Sequence, residues 1–332
     1  MSTMADAPFQ PTRRTWLAGA AATAFSAPAL AQSGWPDRSI RVLVGYPAGG
    51  ANDLVARSVA VGLSSRLSQS VVVENRAGAG GTLAADVAAR AAPDGYNLFF
   101  ISSAQVLAPS IRRNLSFDPV RDFTYIALGA RSPYYLIAHP SLGVNSVAEL
   151  VALAKSRPGR IQFASSGVGA GPHLTMSYFM NVAGIELDHV PYRGDADAII
   201  DLAAGRVPLA FISIPASGPH VEAGTLRALA VSGAERVSVA PNVPTVAESG
   251  YPGFEMDAWW GLAGPAGLPA SIVQRLATEI RPILDAPEYA ARFAQQGIVP
   301  SKVGPEDFTR LVRADRVRFD NIVRDARIPV QD

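Results

Sequence analysis

Apolar and polar positions along this chain follow two alternating rhythms. Short runs of β-branched and aromatic residues are followed by stretches in which apolar residues return every three or four positions. Ile40-Arg41-Val42-Leu43-Val44 has the first character and predicts a strand, stopped by Pro47 and the pair Gly49-Gly50. Over 53–67, Leu54, Val55, Val59, Leu63 and Leu67 fall at near-helical spacing. Val71-Val72-Val73 predicts the next strand, Thr82 to Ala92 a helix after a glycine cluster, and Asn97 to Ser102 a third strand. Strands alternating with helices are the pattern of an α/β domain with mainly parallel sheet.

A second set of the same kind begins near Tyr134. Ser146-Val147-Ala148-Glu149 predicts a capping-box helix start. Ile161 to Ala164 predicts a strand that enters the glycine-rich loop Ser165 to Pro172, and His173 to Ala183 a helix. The strand His189-Val190-Pro191, the helix Asp197 to Ala204 and the strands Leu209 to Ile212 and Leu226 to Val231 complete the set. From Ser271 onward the pattern is helical, with interruptions expected at Pro282, Pro287, Pro300 and Pro305. The expected organisation is two α/β lobes, with residues 32–130 and 257–332 building the first and 131–256 the second. Crossings near 128–136 and 254–262 form two hinge strands, an arrangement suited to closure around a ligand. No short-period repeat is present, which excludes a solenoid.

Composition sharpens the picture at the N-terminus. Thr12-Arg13-Arg14-Thr15-Trp16-Leu17 precedes an Ala-rich apolar stretch that ends at Ala29-Leu30-Ala31. Basic residues, a short apolar core and small residues define an export signal, and the paired arginines give it a twin-arginine character. Residues 1–31 are therefore expected to be removed by cleavage after Ala31, leaving an exported protein. The apolar core of about 15 residues is shorter than the ~20 that a spanning helix needs. The 332-residue chain carries net charge +1, and losing Asp6, Arg13 and Arg14 brings it near zero. No basic cluster of the kind that neutralises phosphates is present, so no nucleic-acid partner is expected. With no cysteine, disulfides, thiolate metal ligands and a cysteine nucleophile are excluded.

Candidate chemistry lies in the loops after the strands. Ligands of open α/β sheets bind at the carboxyl ends of strands, where helix N-termini offer unpaired N–H groups to anions. Five segments suit this role: Tyr46–Asp53, Gly78–Thr82, Ser102–Gln105, Ser165–Gly171 and Tyr192–Asp195. Each taken singly is also an ordinary tight turn, whereas five distributed over two lobes point to a cleft.

Several segments then resemble one family in order and separation. They are Tyr-Pro-Ala-Gly-Gly-Ala-Asn-Asp (46–53), Val-Glu-Asn-Arg-Ala-Gly-Ala-Gly-Gly (73–81), Pro-Asp-Gly-Tyr (93–96) and Pro-Tyr-Arg-Gly (191–194). Arg-Ala-Leu-Ala-Val (227–231), Val-Pro-Thr-Val-Ala-Glu (243–248) and Gly-Leu-Ala-Gly-Pro-Ala-Gly-Leu-Pro (261–269) continue the series. Together they resemble the Bug family of solute receptors of tripartite tricarboxylate transporters. The resemblance implies a two-lobed periplasmic Venus-flytrap of type II-like fold that delivers a small organic acid to membrane permease subunits, acting as a monomer without a cofactor. It implies that Gly49, Gly50 and Ala51 donate backbone N–H groups to a ligand carboxylate, with Tyr46 at the entrance. Ser102 and Ser103 then contribute hydroxyls, and Ser166 and Gly167 close from the second lobe beside Tyr192, Gly194 and Asp195. His173 is a further candidate contact, balanced against simple packing. Asp195 departs from the small residue usual in the family; facing the pocket, it would disfavour a long dianion.

Other residues suit structural roles better. Asp53 complements its helix N-terminus, Arg193 suits a surface or inter-lobe ion pair, and Trp259 and Trp260 suit hinge and core packing. An enzyme finds little support. Ser64 has Gly62 before it but Arg66 where a nucleophile elbow needs glycine. Leu83 and Pro172 stand where dinucleotide fingerprints need a third glycine, and no Gly-Lys pair exists for a P-loop. His139, His173, His189 and His220 lack metal-ligand spacing. Two alternatives stay open: a ligand sensor serving a signalling partner, and a secreted hydrolase with a scattered Ser–His–Asp set.

Overall fold

The computed structural model describes residues 34–330. The expected export signal and its cleavage after Ala31 lie outside the described residues. Residues 38–330 belong to one compact unit, and the fold described below is that of this unit.

The chain first builds β1 (Ile40–Val44), α1 (Ala51–Leu67), β2 (Val71–Asn75), α2 (Thr82–Ala89), β3 (Asn97–Ser102) and α3 (Ser103–Ile111). β1 pairs in parallel with β2 on one side and β3 on the other. β1 and β3 are almost wholly apolar and buried, as expected of parallel strands covered on both faces. β4 (Phe123–Ala138) is the long element of the fold. The second set follows: α4 (Val147–Ser156), β5 (Gln162–Ser165), α5 (Gly171–Ala183), β6 (Asp188–Pro191), α6 (Asp195–Ala203), β7 (Leu209–Ser213), α7 (Ile214–Glu222) and β8 (Arg227–Val231). The chain ends with β9 (Asp257–Pro265), α8 (Ala270–Asp285), α9 (Pro287–Ala294), β10 (Val299–Pro300) and α10 (Pro305–Asp325).

Among the described residues all the strands join one curled mixed sheet, in the order β2-β1-β3-β9-β4-β7-β5-β6, with β8 and β10 also on β4. β4 belongs to both halves. Its residues Phe123 to Pro133 pair with β9, and Tyr134 to Ala138 pair with β7 and β8. This is the two-lobed α/β fold with crossover strands that the sequence predicts. Ser232, fully buried, joins the two crossings by accepting the Tyr134 N–H at 2.9 Å and donating to the Met256 carbonyl at 2.5 Å. Apolar side chains fill the interior, among them a cluster around Phe99, Phe163, Phe211 and Phe308 and another around Ile137, Leu202 and Ile212.

Several elements differ from expectation. The segment Ser103–Ile111, expected as loop at its start, is helix from Ser103, because the Gln105 side chain caps the Ser102 N–H at 2.8 Å. α7 follows β7 directly and was not expected, since its apolar residues are few and it contains Pro219. The helix beginning at Thr82 stops at Ala89 rather than Ala92. Pro282 does not interrupt α8: Ile272, Leu276, Ile280 and Leu284 form one buried stripe through it. Burying four such side chains offsets the ~3 kcal/mol cost of an interior proline. At Ser146 only half of the capping box forms. Its hydroxyl accepts the Glu149 N–H at 3.2 Å, while the Glu149 carboxylate turns to the Asn145 N–H at 2.7 Å.

Candidate functional site

In each half of the sheet the chain steps from a central strand to one neighbour and then crosses to the other side. β1 lies between β2 and β3, and β5 lies between β6 and β7. The carboxyl ends of β1, β3 and β5 therefore stand at topological switch points, where a crevice opens between diverging loops. A cavity of about 670 Å³ lies there. The N-termini of α1, α3 and α5 all contribute to its wall through Gly50, Ser102 and Ala170. No side chain caps α1 or α5, so the first-turn N–H groups of α1, and those of α5 apart from the donorless Pro172, remain available for an anion.

The first wall is held rigidly. Asp53, only 1% exposed, accepts the Gly49 N–H at 2.9 Å, Arg57 Nε at 2.9 Å and Asn75 Nδ2 at 2.8 Å. Burial by itself would raise its pKa; the bonds from Arg57, Gly49 and Asn75 outweigh that and hold it below the ordinary value. Tyr46 and Ser102 join through Gln105, which is fully buried. Gln105 Nε2 donates to the Gly80 carbonyl at 2.8 Å and to the Tyr46 hydroxyl at 3.2 Å, and the Ser102 hydroxyl donates to Gln105 Oε1 at 2.8 Å. A Cβ at Gly81 would lie 2.3 Å from Gln105 Nε2, and its φ is +87°, so only glycine fits beneath this network.

The second wall rests on an aromatic stack. His173 and His189 lie face to face with ring centroids 3.9 Å apart, and His189 stacks on Phe163 at 4.8 Å. His173 Nδ1 accepts the Gly169 N–H at 3.0 Å, and His189 Nε2 meets the Ser165 hydroxyl at 2.6 Å. Burial, then the neighbouring His189, pushes His173 down to about 4. Ser165 and His189 resemble a nucleophile–base pair, but the Ser165 hydroxyl is sealed under the loop, where it also bonds the Gly167 N–H and carbonyl. The pair therefore shapes the loop. Near it, a Cβ at Gly171 would fall 2.2 Å from the Tyr134 hydroxyl, so α5 approaches β4 there without room for a side chain.

Of the residues predicted from sequence, Tyr46, Gly50, Ala51, Ser102 and Ser103 line the cavity from the first set, and Ser166 and Gly167 from the second. Gly49, His173, Tyr192, Gly194 and Asp195 are not among its lining residues. Gly49 spends its N–H on Asp53, and Tyr192 gives its hydroxyl to Asp201 at 2.7 Å. Gly194 stands immediately before α6, and Asp195 Oδ2 accepts the Ser213 N–H at 3.3 Å. Arg193 is exposed. Trp259 packs as expected, 1% exposed with its Nε1 donating to Asp315 at 2.7 Å, whereas Trp260 lines the cavity.

Sequence reasoning did not single out the polar lining residues Arg112, Tyr134, Thr175 and Asp257, and it reached Asn52 only as part of the Tyr46–Asp53 segment. Arg112 donates to the Ala79 carbonyl at 3.0 Å. Asn52 is the most informative. It is 5% exposed, yet both its amide oxygen and its amide nitrogen are shut from solvent with no hydrogen-bond partner. Its place in the first turn of a helix, directly after the Gly49-Gly50 pair, was the available signal.

The profile described as "TctC: Tripartite tricarboxylate transporter family receptor" matches residues 55–328. The chain belongs to this family. Protein BugT of Bordetella pertussis is 35% identical over 307 residues, covering 92% of this chain and 94% of that protein. Among solved structures, R. palustris Rpa4515 with adipate is 35% identical at a TM-score of 0.75, covering 89% of this chain and 99% of that one. MatC from Rhodopseudomonas palustris with bound malate is 30% identical at 0.70, covering 87% and 100%.

Proposed function

We propose that this protein is a periplasmic solute-binding receptor that captures a small organic carboxylate and hands it to the permease of a tripartite tricarboxylate transporter, rather than an enzyme. The observation that carries the reading is Asn52. An amide buried without partners costs about 1–3 kcal/mol, and a ligand carboxylate at the adjacent helix N-terminus would satisfy its N–H. The cavity volume suits a small molecule, and its lining mixes backbone donors with Leu107, Ile111, Val168 and Phe319. Relatives solved with adipate and malate support the carboxylate class.

In this reading residues 1–31 are the export signal, 32–130 and 257–332 form the first lobe, and 131–256 form the second. Gly50, Ala51, Ser103, Ser166 and Gly167 are the backbone and hydroxyl contacts, with Tyr46 at the rim. The receptor acts as a monomer and its closed form is what the permease recognises.

The test is a thermal-shift screen of residues 32–332 against di- and tricarboxylates, aromatic acids and acidic amino acids, with neutral sugars as controls. A ligand that binds only the folded protein raises Tm by mass action, by about 2.7 kcal/mol of stability at 100 times Kd. A saturable shift with carboxylates and none with sugars is expected. Shifts confined to sugars would overturn the reading.

A further inference from the structure

Resting on the carboxylate reading above, we propose that Asp257 is a second recognition element of the cavity, presenting a carboxylic acid O–H to the far oxygen of a bound dicarboxylate, so that ligand and proton are taken up together. Among the described residues that line the cavity, Asp257 is the one acid and Arg112 the one base. It stands at the first position of β9, opposite Pro133 of β4, where the chain crosses between lobes. Its Oδ1 is shut from solvent without a hydrogen-bond partner. A Cβ on Gly233 would lie 3.1 Å from that oxygen, so backbone crowds it from behind.

Among the described residues no cation forms a direct ion pair with Asp257, although Arg318 Nε is buried without a hydrogen-bond partner. Arg131 of β4 pairs with Glu255 at 2.5 Å. Arg318 of α10 pairs with Asp315 at 2.5 Å and donates to the Glu255 carbonyl at 2.7 Å. Asp315 also accepts Trp259 Nε1. Two cations and two anions therefore balance, and an ionised Asp257 would add an unpaired negative charge. The remaining titratable neighbour, Tyr134 of β4, is itself pushed up by burial, then by Asp195 and Asp257. Burial, then Glu255, raises Asp257 to about 7, against the opposing pull of Arg131 and Arg318. The acid form is thus populated at neutral pH, and a ligand carboxylate nearby favours it further.

The sign follows from linkage: binding that requires the proton weakens as pH rises through the pKa of the free protein. Isothermal titration with adipate at pH 6 and pH 8 should show wild-type affinity falling about tenfold. Asp257→Asn, whose amide still donates, should bind adipate at both pH values within about threefold of the wild type at pH 6. Equal wild-type affinity at the two pH values would overturn the inference while leaving the carboxylate receptor standing. A wild-type preference for 6-aminohexanoate over adipate at pH 8 would also overturn it, since an ionised Asp257 would then be accepting from an ammonium. If no dicarboxylate bound either protein, the receptor reading would fall and this inference with it. A ligand-free carbon-13 titration, assigned by the Asp257→Asn spectrum, adds a direct readout: a carboxyl midpoint above 6 supports the inference and one below 5 overturns it.

Discussion

A buried amide with neither end bonded is a stability defect, and Asn52 carries that defect at the mouth of a helix whose N–H groups face a cavity. Replacing it by leucine, of similar size, removes the orphaned groups without opening a void. Asn52→Leu is therefore expected to raise the unfolding free energy of the ligand-free protein by about 1–3 kcal/mol, read by denaturant titration. The same change should weaken carboxylate binding at least about tenfold, in line with the loss of one charge-assisted bond. Lower stability together with full affinity would show Asn52 to be a packing residue. Neither Asn52 nor Asp257 could be singled out from sequence, because the absence of a partner is a property of everything packed around a group. Asp53 was legible as a helix-terminus residue from its position alone, though its bond to the Gly49 N–H was not.

At the scale of elements, strands with several consecutive apolar residues were legible to within a residue or so, as β1, β3 and β7 show. Those set by tertiary contact were not. β4 extends upstream to Phe123 because β9 lies along it, and α8 passes through Pro282 because its apolar stripe is buried on both sides of that residue. The histidine stack beneath the Ser166–Gly169 loop is likewise tertiary, and it carries a pH dependence. His173 has a folded-state value near 4, below the ~6.5 of an unfolded chain. Between those values the unfolded state binds more protons, so stability falls as pH falls from 6.5 to 4. The loss from this group is about 3 kcal/mol at 1.36 kcal/mol per unit. Carboxylates titrate in the same window, so the comparison needed is with His173→Gln. The difference in stability between wild type and variant should change by about that amount from pH 6.5 to pH 4, and a constant difference would show that His173 is not held neutral.

For the whole molecule, the arrangement of crossings decides what ligand binding can do. β4 and the segment leading into β9 connect the lobes, Ser232 bonds the two together, and α10 packs on both α3 and α5. A ligand gripped by the loops of both lobes stabilises whichever lobe angle lets both grips form, and it shifts the population only by its differential affinity for that angle. The chain contains no cysteine, so labels can be placed without background. Val61 on α1 and Ile200 on α6 are exposed at 70% and 62% and lie in the first and the second set of strands and helices. Spin labels at Val61→Cys and Ile200→Cys should give a distance distribution that shortens and narrows when the acid identified by thermal shift is added to saturation. Asn52→Leu in the same background should need a higher ligand concentration for the same shift. A distribution that stays unchanged while ligand is demonstrably bound would mean that binding does not change the lobe angle.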